Sequence, residues 1–225
     1  MPRSLTTLLS LVLALGVPIV LILTNVFIFM TPQWLDYQYS KPGLPKSVRF
    51  SDQDRRHYAT ESIEYVRGSR TLEQFKALGV YDDREIKHMV DVRELVDKAR
   101  VVWIVVGALL VVALGVLAAR PTTRTLAARG MLSGAILTVG LFVVIGAFAA
   151  IGFNTFFTLF HRVFFEGDTW LFSYTDSLIQ FYPLPFWFET SVALVGLTIV
   201  EAVAIGFVGW WWTKKLRDCR MRAKQ

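Results

Sequence analysis

Read for the order of its apolar and polar positions, the chain falls into four long apolar runs separated by polar stretches of unequal length. The runs are residues 5–30, 101–119, 131–157 and 188–212. A helix needs roughly 20 apolar residues to cross a bilayer, and each run meets or approaches that length. Pro18 lies inside the first run and predicts a kink. That run has only Arg3 as a charged start, is too long for a signal-peptide core, and closes without a small-x-small site. It is expected to be a retained anchor.

The polar interval 31–100 carries shorter patterns. Residues 34–39, WLDYQY, form an aromatic segment suited to a membrane interface. Pro42, Gly43 and Pro45 predict a loop. Ser51 followed by Asp54 resembles a capping box with Asp in the acidic position. Ala59, Ile63 and Val66 then recur at helical spacing until Gly68 stops them. Leu72, Phe75 and Leu78 predict a second short helix closed by Gly79. Asp82 or Asp83 can cap a third over 84–96, and no Gly or Pro separates it from the next apolar run before Val106. The interval is too small and polar to bury much of a core alone and is expected to pack as a cap.

These patterns give one organisation: transmembrane helix 1 at 1–30, a cap at 31–100 leading into helix 2 at 101–119, and a loop at 120–130. Helix 3 follows at 131–157, an aromatic loop at 158–187, helix 4 at 188–212 and a basic tail at 213–225. The fold class is an all-α polytopic membrane protein. Composition agrees: 54% of residues are hydrophobic and the mean hydropathy is +0.46, too apolar for an ordinary soluble domain. A net charge of +6 could suggest nucleic acid, but its distribution argues otherwise. The N-terminus, the 120–130 loop and the tail hold ten basic residues against one acid, Asp218. The opposite side holds fourteen basic and sixteen acidic residues. The positive-inside rule therefore places both termini in the cytoplasm and the cap and aromatic loop outside. The basicity is a topology signal with some attraction for anionic membrane lipid, and no nucleic-acid partner is expected.

Candidate chemistry concentrates on the outer side. Residues 153–189 crowd Phe, Tyr and Trp around one histidine, His161, as suits the level of lipid headgroups. His88 lies just before the second span, and spans joined by a short inner loop are neighbours, so these two histidines are expected to meet. Asp91, one turn from His88, is placed to orient it. Arg93 and Arg162 are candidates to hold a developing oxyanion, and Asp168 and Asp176 to orient a histidine, with Glu166 beside them. Phe160, Phe164, Trp170 and Trp187 are candidate substrate-binding aromatics, the tryptophans equally suited to interface anchoring. His88, Asp91 and His161 could in principle ligate a metal, but no HExxH-like or Cys-rich spacing supports this and none is expected. His57 reads as a solvated side chain. The lone thiol, Cys219, falls in the predicted cytoplasmic tail, which removes a cysteine nucleophile from the outer face. Glu201 lies mid-span, where a protonated carboxyl bonded to Thr138 or a backbone carbonyl is expected.

Two motifs occur together here: EIKHMVDVREL at 85–95, and FHRVFFEGDTWLF at 160–172 followed by TDSLIQFYPLPFW at 175–187. With four spans arranged as above, the chain resembles the bacterial lipoprotein intramolecular transacylase family over most of residues 87–187. The resemblance implies a substrate, a diacylglyceryl-modified lipoprotein, and a reaction. The sn-2 acyl chain moves to the cysteine α-amino group and leaves an N-acyl, lyso-form lipoprotein. The family's paired histidines map onto His88 and His161. Ester-to-amide conversion is downhill, so no ATP or coenzyme is expected. A different lipid acyltransferase or hydrolase at the same face, or a non-catalytic accessory protein, remains the alternative.

Overall fold

The structure, a computed structural model, describes residues 1–222; Lys224 of the predicted basic tail lies outside them. Among the described residues the regular structure is nine α-helices: α1 (Arg3–Phe29), α2 (Pro32–Ser40), α3 (Asp52–Arg67), α4 (Leu72–Lys76), α5 (Asp83–Ala119), α6 (Arg124–Ile151), α7 (Phe153–Phe164), α8 (Ser177–Phe181) and α9 (Leu184–Arg222). Four of them, α1, α5, α6 and α9, are long and apolar enough to cross a membrane. The chain is a multi-pass membrane protein.

Residue contacts divide it into two units. The first comprises residues 1–25, 101–147 and 194 onward, and holds most of each long apolar helix. Small residues let these helices approach closely, the usual basis of association where lipid removes a hydrophobic drive. A Cβ added at Gly134 would lie 2.8 Å from Val17 Cβ, and one at Gly209 would lie 2.9 Å from the Ala128 carbonyl oxygen. The turn after α5 is closed by side chains. Thr123 Oγ1 donates to the Leu117 carbonyl at 2.8 Å, and Arg124 Nε to that of Ala118 at 2.9 Å. Both satisfy acceptors that a helix end leaves open. The mid-span carboxyl has a partner other than the one expected. Thr138 donates to its own helix at Gly134, while Asn25 Nδ2 donates to Glu201 at 2.8 Å and to Thr198 at 2.9 Å. A fully buried asparagine on α1 meets that carboxyl, a pairing between distant segments that local spacing does not encode.

The second unit comprises residues 26–100 and 148–193. Thr31 caps α2, with Pro32 in its first turn, and Gly68 ends α3 at φ 95°, a left-handed position that suits glycine. Ser51 caps α3, but its hydroxyl donates to the Asp54 carboxylate and no reciprocal bond completes a box. Thr71 with Gln74 at α4 does complete a box, because glutamine's longer side chain reaches back to the cap N–H, and Asp82 with Glu85 makes the same reciprocal pair at the start of α5. As predicted, α5 runs unbroken from the cap into the second span.

Residues 31–100 do not form a core by themselves. Leu35, Ala59, Ile63, Tyr65, Val66, Phe75, Met89 and Val96 close over Leu178, Phe181, Tyr182 and Phe186 from the later segment. Tyr65 stacks on Phe75 at 4.5 Å and Phe75 on Tyr81 at 4.6 Å, and the Tyr182 hydroxyl donates to the Ala59 carbonyl at 2.5 Å. The aromatic stretch thus supplies four of the twelve buried residues of the cap's own core.

Two of the long helices have other ends than the sequence reading gave. The third long helix ends at Ile151, not at residue 157, and a new helix, α7, begins at Phe153. Gly152 between them sits at φ −154°, ψ 71°, outside helical values. The aromatic loop is therefore partly helical, and α8 interrupts it again. The fourth helix starts at Leu184 and continues through the basic tail to Arg222.

Candidate active site

Both candidate histidines belong to the second unit. His88 projects from the polar first half of α5, three turns ahead of the apolar stretch that begins at Val101, and is only 8% exposed. His161 lies in the last turn of α7 and is half-buried. Their ring centroids are 6.1 Å apart, with planes 27° from parallel. Phe165 and Phe172 stand edge-on to His88 at 5.0 and 5.3 Å. Trp170 stacks on His161 at 5.0 Å, and Phe157 lies 4.1 Å from the same ring. Two imidazoles meet inside an aromatic shell.

The segment carrying Phe165, Trp170 and Phe172 is held to the start of α5 by polar ties. Glu85, 2% exposed, accepts the Leu178 N–H at 2.7 Å through one carboxylate oxygen and the Asp82 N–H at 3.0 Å through the other. Arg84 donates to the Leu171 carbonyl at 2.9 Å and pairs with Asp176 at 2.7 Å. Ser177 donates to the Val80 carbonyl. Trp170 is fixed in turn by its indole N–H on the Gly167 carbonyl at 3.1 Å.

The hydrogen bonds distinguish the two rings. His161 Nδ1 lies 2.7 Å from the Phe157 carbonyl. A carbonyl can only accept, so Nδ1 carries the proton and the lone pair of the neutral ring sits on Nε2. His88 Nδ1 is buried without a hydrogen-bond partner. Burial lowers the pKa of His88 from 6.5 to about 4, and the nearby His161 adds to the effect. Burial also lowers that of His161, opposed by its bond to the Phe157 carbonyl. Both rings are neutral near pH 7.

The other predicted site residues separate into groups. Phe160 packs edge-on to His161 at 5.5 Å and against Phe164 at 4.9 Å. Trp187 lies 6.4 Å from Phe157, at the edge of the cluster. Asp91 does not orient His88 through Nδ1, since that atom has no partner; one helical turn leaves it on the flank of the buried face. Arg93 is engaged in the cap, donating to the Tyr65 and Arg70 carbonyls at 3.1 and 2.7 Å and lying 4.9 Å over the Tyr65 ring. Asp176 is bound to Arg84 and to the Ser173 N–H at 2.7 Å, which makes it a clamp on the loop. Arg162, Asp168 and Glu166 are exposed, as is His57. Among the described residues no group of three His, Cys, Asp or Glu side chains converges on a common point. Sequence reasoning missed the Phe157 carbonyl, Phe165, Phe172 and Glu85. A hydrogen bond to a backbone carbonyl has no side-chain signature, and the two phenylalanines were lost among many in the same stretch.

The sequence profile described as lipoprotein intramolecular transacylase Lit matches residues 10–187 of the chain, which include both histidines. The chain belongs to the lipoprotein intramolecular transacylase family. It is an enzyme of the acyltransferase class. An uncharacterised protein of Aquifex aeolicus is 24% identical to it over 216 residues, 90% of this chain and 93% of the relative. The fold is similar to the in meso structure of the membrane-integral lipoprotein intramolecular transacylase Lit of Bacillus cereus. The TM-score is 0.78 at 18% identity, covering 96% of this chain and 99% of that one. A variant of that enzyme with one histidine replaced by alanine matches at TM-score 0.71 and 17% identity, over 95% and 96% of the two chains. The family's name carries its substrate class, lipoproteins.

Proposed function

We propose that His88 and His161 carry out an intramolecular O-to-N acyl transfer on a diacylglyceryl-modified lipoprotein. The cysteine α-amine attacks the sn-2 ester carbonyl. A C–N bond forms, the C–O bond to glycerol breaks, and the amine's proton ends on the freed glyceryl oxygen. Atoms balance without a cofactor, because ester and amine belong to one molecule and the enzyme mainly has to hold them in attack geometry.

The single observation carrying this reading is the fixed tautomer of His161 beside a second neutral imidazole. With Nδ1–H spent on the Phe157 carbonyl, Nε2 is free to take the amine's proton as the general base. An α-amine has a reference pKa of about 7.7–8.0 against about 6.5 for histidine, so transfer becomes favourable only as attack acidifies the nitrogen. His88 then donates to the leaving oxygen or holds the oxyanion. Its buried, unpartnered Nδ1 supports a role in which substrate supplies the missing bond. Leaving such an atom unpaired costs roughly 1–3 kcal/mol. Phe160, Phe164 and Trp170 give acyl chains an apolar wall. Asp91 and Arg93 have no part in this scheme.

Charge distribution supports placing the site on the extracytoplasmic face with both termini cytoplasmic. The test is mass spectrometry of a reporter lipoprotein's N-terminal peptide, with the gene present and absent. An acyl group on nitrogen with a free glyceryl hydroxyl is expected. An unchanged diacyl form would defeat the proposal, and a lyso-form bearing a free amine would instead indicate a hydrolase.

A further inference from the structure

Helix α7 presents a ridge of apolar side chains that nothing else among the described residues covers. Leu159, Phe160, Val163 and Phe164 are 45, 43, 75 and 48% exposed, and they fall on adjoining positions of a 3.6-residue helix. Asn154, Thr155, Thr158, His161 and Arg162 occupy the opposite arc. A soluble surface seldom leaves two aromatic and two aliphatic side chains bare in one patch.

The surroundings identify what covers it. A single non-helical residue, Gly152, joins α7 to the membrane helix α6, whose last residue, Ile151, is 89% exposed. Phe153 packs edge-on at 5.2 Å against Phe188, which belongs to the membrane helix α9 and is itself exposed. Phe156 lies 6.3 Å from Phe148 on α6. The apolar ridge thus continues the lipid-facing surfaces of two spanning helices, while Arg162 lies on the polar arc at headgroup reach. A helix of this pattern rests in the interface with its apolar face sunk about 5–10 Å toward the acyl chains.

We propose that α7 is an interfacial helix whose ridge lies in the lipid leaflet on the site's side and leads the substrate's acyl chain to His161. Phe160 links the two, touching Phe164 on the ridge at 4.9 Å and His161 at 5.5 Å. The lipid contact stands on the geometry of α7 alone; the delivery of an acyl chain rests on the transacylase reading above.

A nitroxide at Val163→Cys, with Thr155→Cys as the polar-arc control and Cys219→Ser in both, tests the surface in liposomes. The Val163 label should collide preferentially with oxygen and the Thr155 label with a water-soluble nickel complex. A Val163 label that meets nickel, or is shielded from both reagents as beneath a second copy or partner protein, overturns the surface. A lipid-immersed label supports the surface even in a preparation that transfers no acyl group, which would count against the catalytic reading alone. Val163→Asp should then lower N-acylation of a diacyl lipoprotein in liposomes by about tenfold, and change that of a short-chain diacyl lipopeptide in micelles by less than about twofold. Equal losses on both substrates would overturn the delivery role.

Discussion

His88 and His161 face one another across 6.1 Å, and the closer rings around them are aromatic side chains rather than carboxylates. The pair therefore differs from a histidine activated by an acid. Each ring is kept neutral by burial, and His161 is oriented by a main-chain carbonyl.

Replacing either ring should remove acyl transfer and leave the fold. His161→Ala and His88→Ala are each expected to lower the rate by about 10²–10⁴-fold, the usual size of a general acid–base contribution. Mass spectrometry of the reporter peptide reads the rate, and size-exclusion and melting profiles read the fold. An N-acyl product at undiminished rate in His161→Ala would remove it as the base.

The pH profile should follow the substrate amine rather than a histidine. With both rings neutral, the rate should climb with pH and level off near the amine's pKa, about 8, with no inflection near 6.5. Initial rates between pH 5.5 and 9 decide this. An inflection at 6.5 would mean that one ring is charged at rest.

Stability should fall on acidification. Folded His88 binds its proton at about pH 4, whereas the unfolded chain binds it near 6.5. Between these values the unfolded state holds more protons, so stability rises with pH. The contribution is whole above 6.5 and is lost as pH falls toward 4. Melting temperatures in detergent should track this window, and His88→Phe should flatten it.

Glu85→Ala should loosen the aromatic segment without touching either ring. The buried Leu178 N–H loses its acceptor, at about 1–3 kcal/mol, and the Asp82 N–H at the exposed start of α5 loses its own at smaller cost. Faster hydrogen exchange over 165–178 together with reduced turnover is expected. Unchanged exchange would remove Glu85 as the clamp.

Glu201→Leu should cost stability and spare chemistry. It strips a partner from Asn25, and intramembrane hydrogen bonds are each worth about 1 kcal/mol. A lower melting point with normal N-acylation is expected; loss of activity at unchanged melting would assign Glu201 to function instead.

Much of this was legible along the chain. Four apolar runs fixed the membrane class, because a bilayer imposes its thickness on any helix that crosses it. Gly68 stopped the helix it was expected to stop, whereas α4 ended at Lys76, short of Gly79, and the absence of Gly or Pro before Val106 made α5 continuous. His88 and His161 stood out because histidines are scarce here, three in 225 residues, and the span order set both at one membrane face.

Contacts between distant segments were not legible. Asp91 stood out for lying one turn from His88 and Arg93 as a cation for an oxyanion, yet the first leaves Nδ1 unpartnered and the second is held by cap carbonyls. Glu201 met Asn25 rather than Thr138, and the cap found its core in Leu178, Phe181 and Tyr182, more than a hundred residues downstream of Leu35 and Ala59. Periodicity and composition report the solvent that each residue must face, which sequence alone determines. Which side chain lies against which depends on how segments far apart in the chain are packed, and only the tertiary structure decides that.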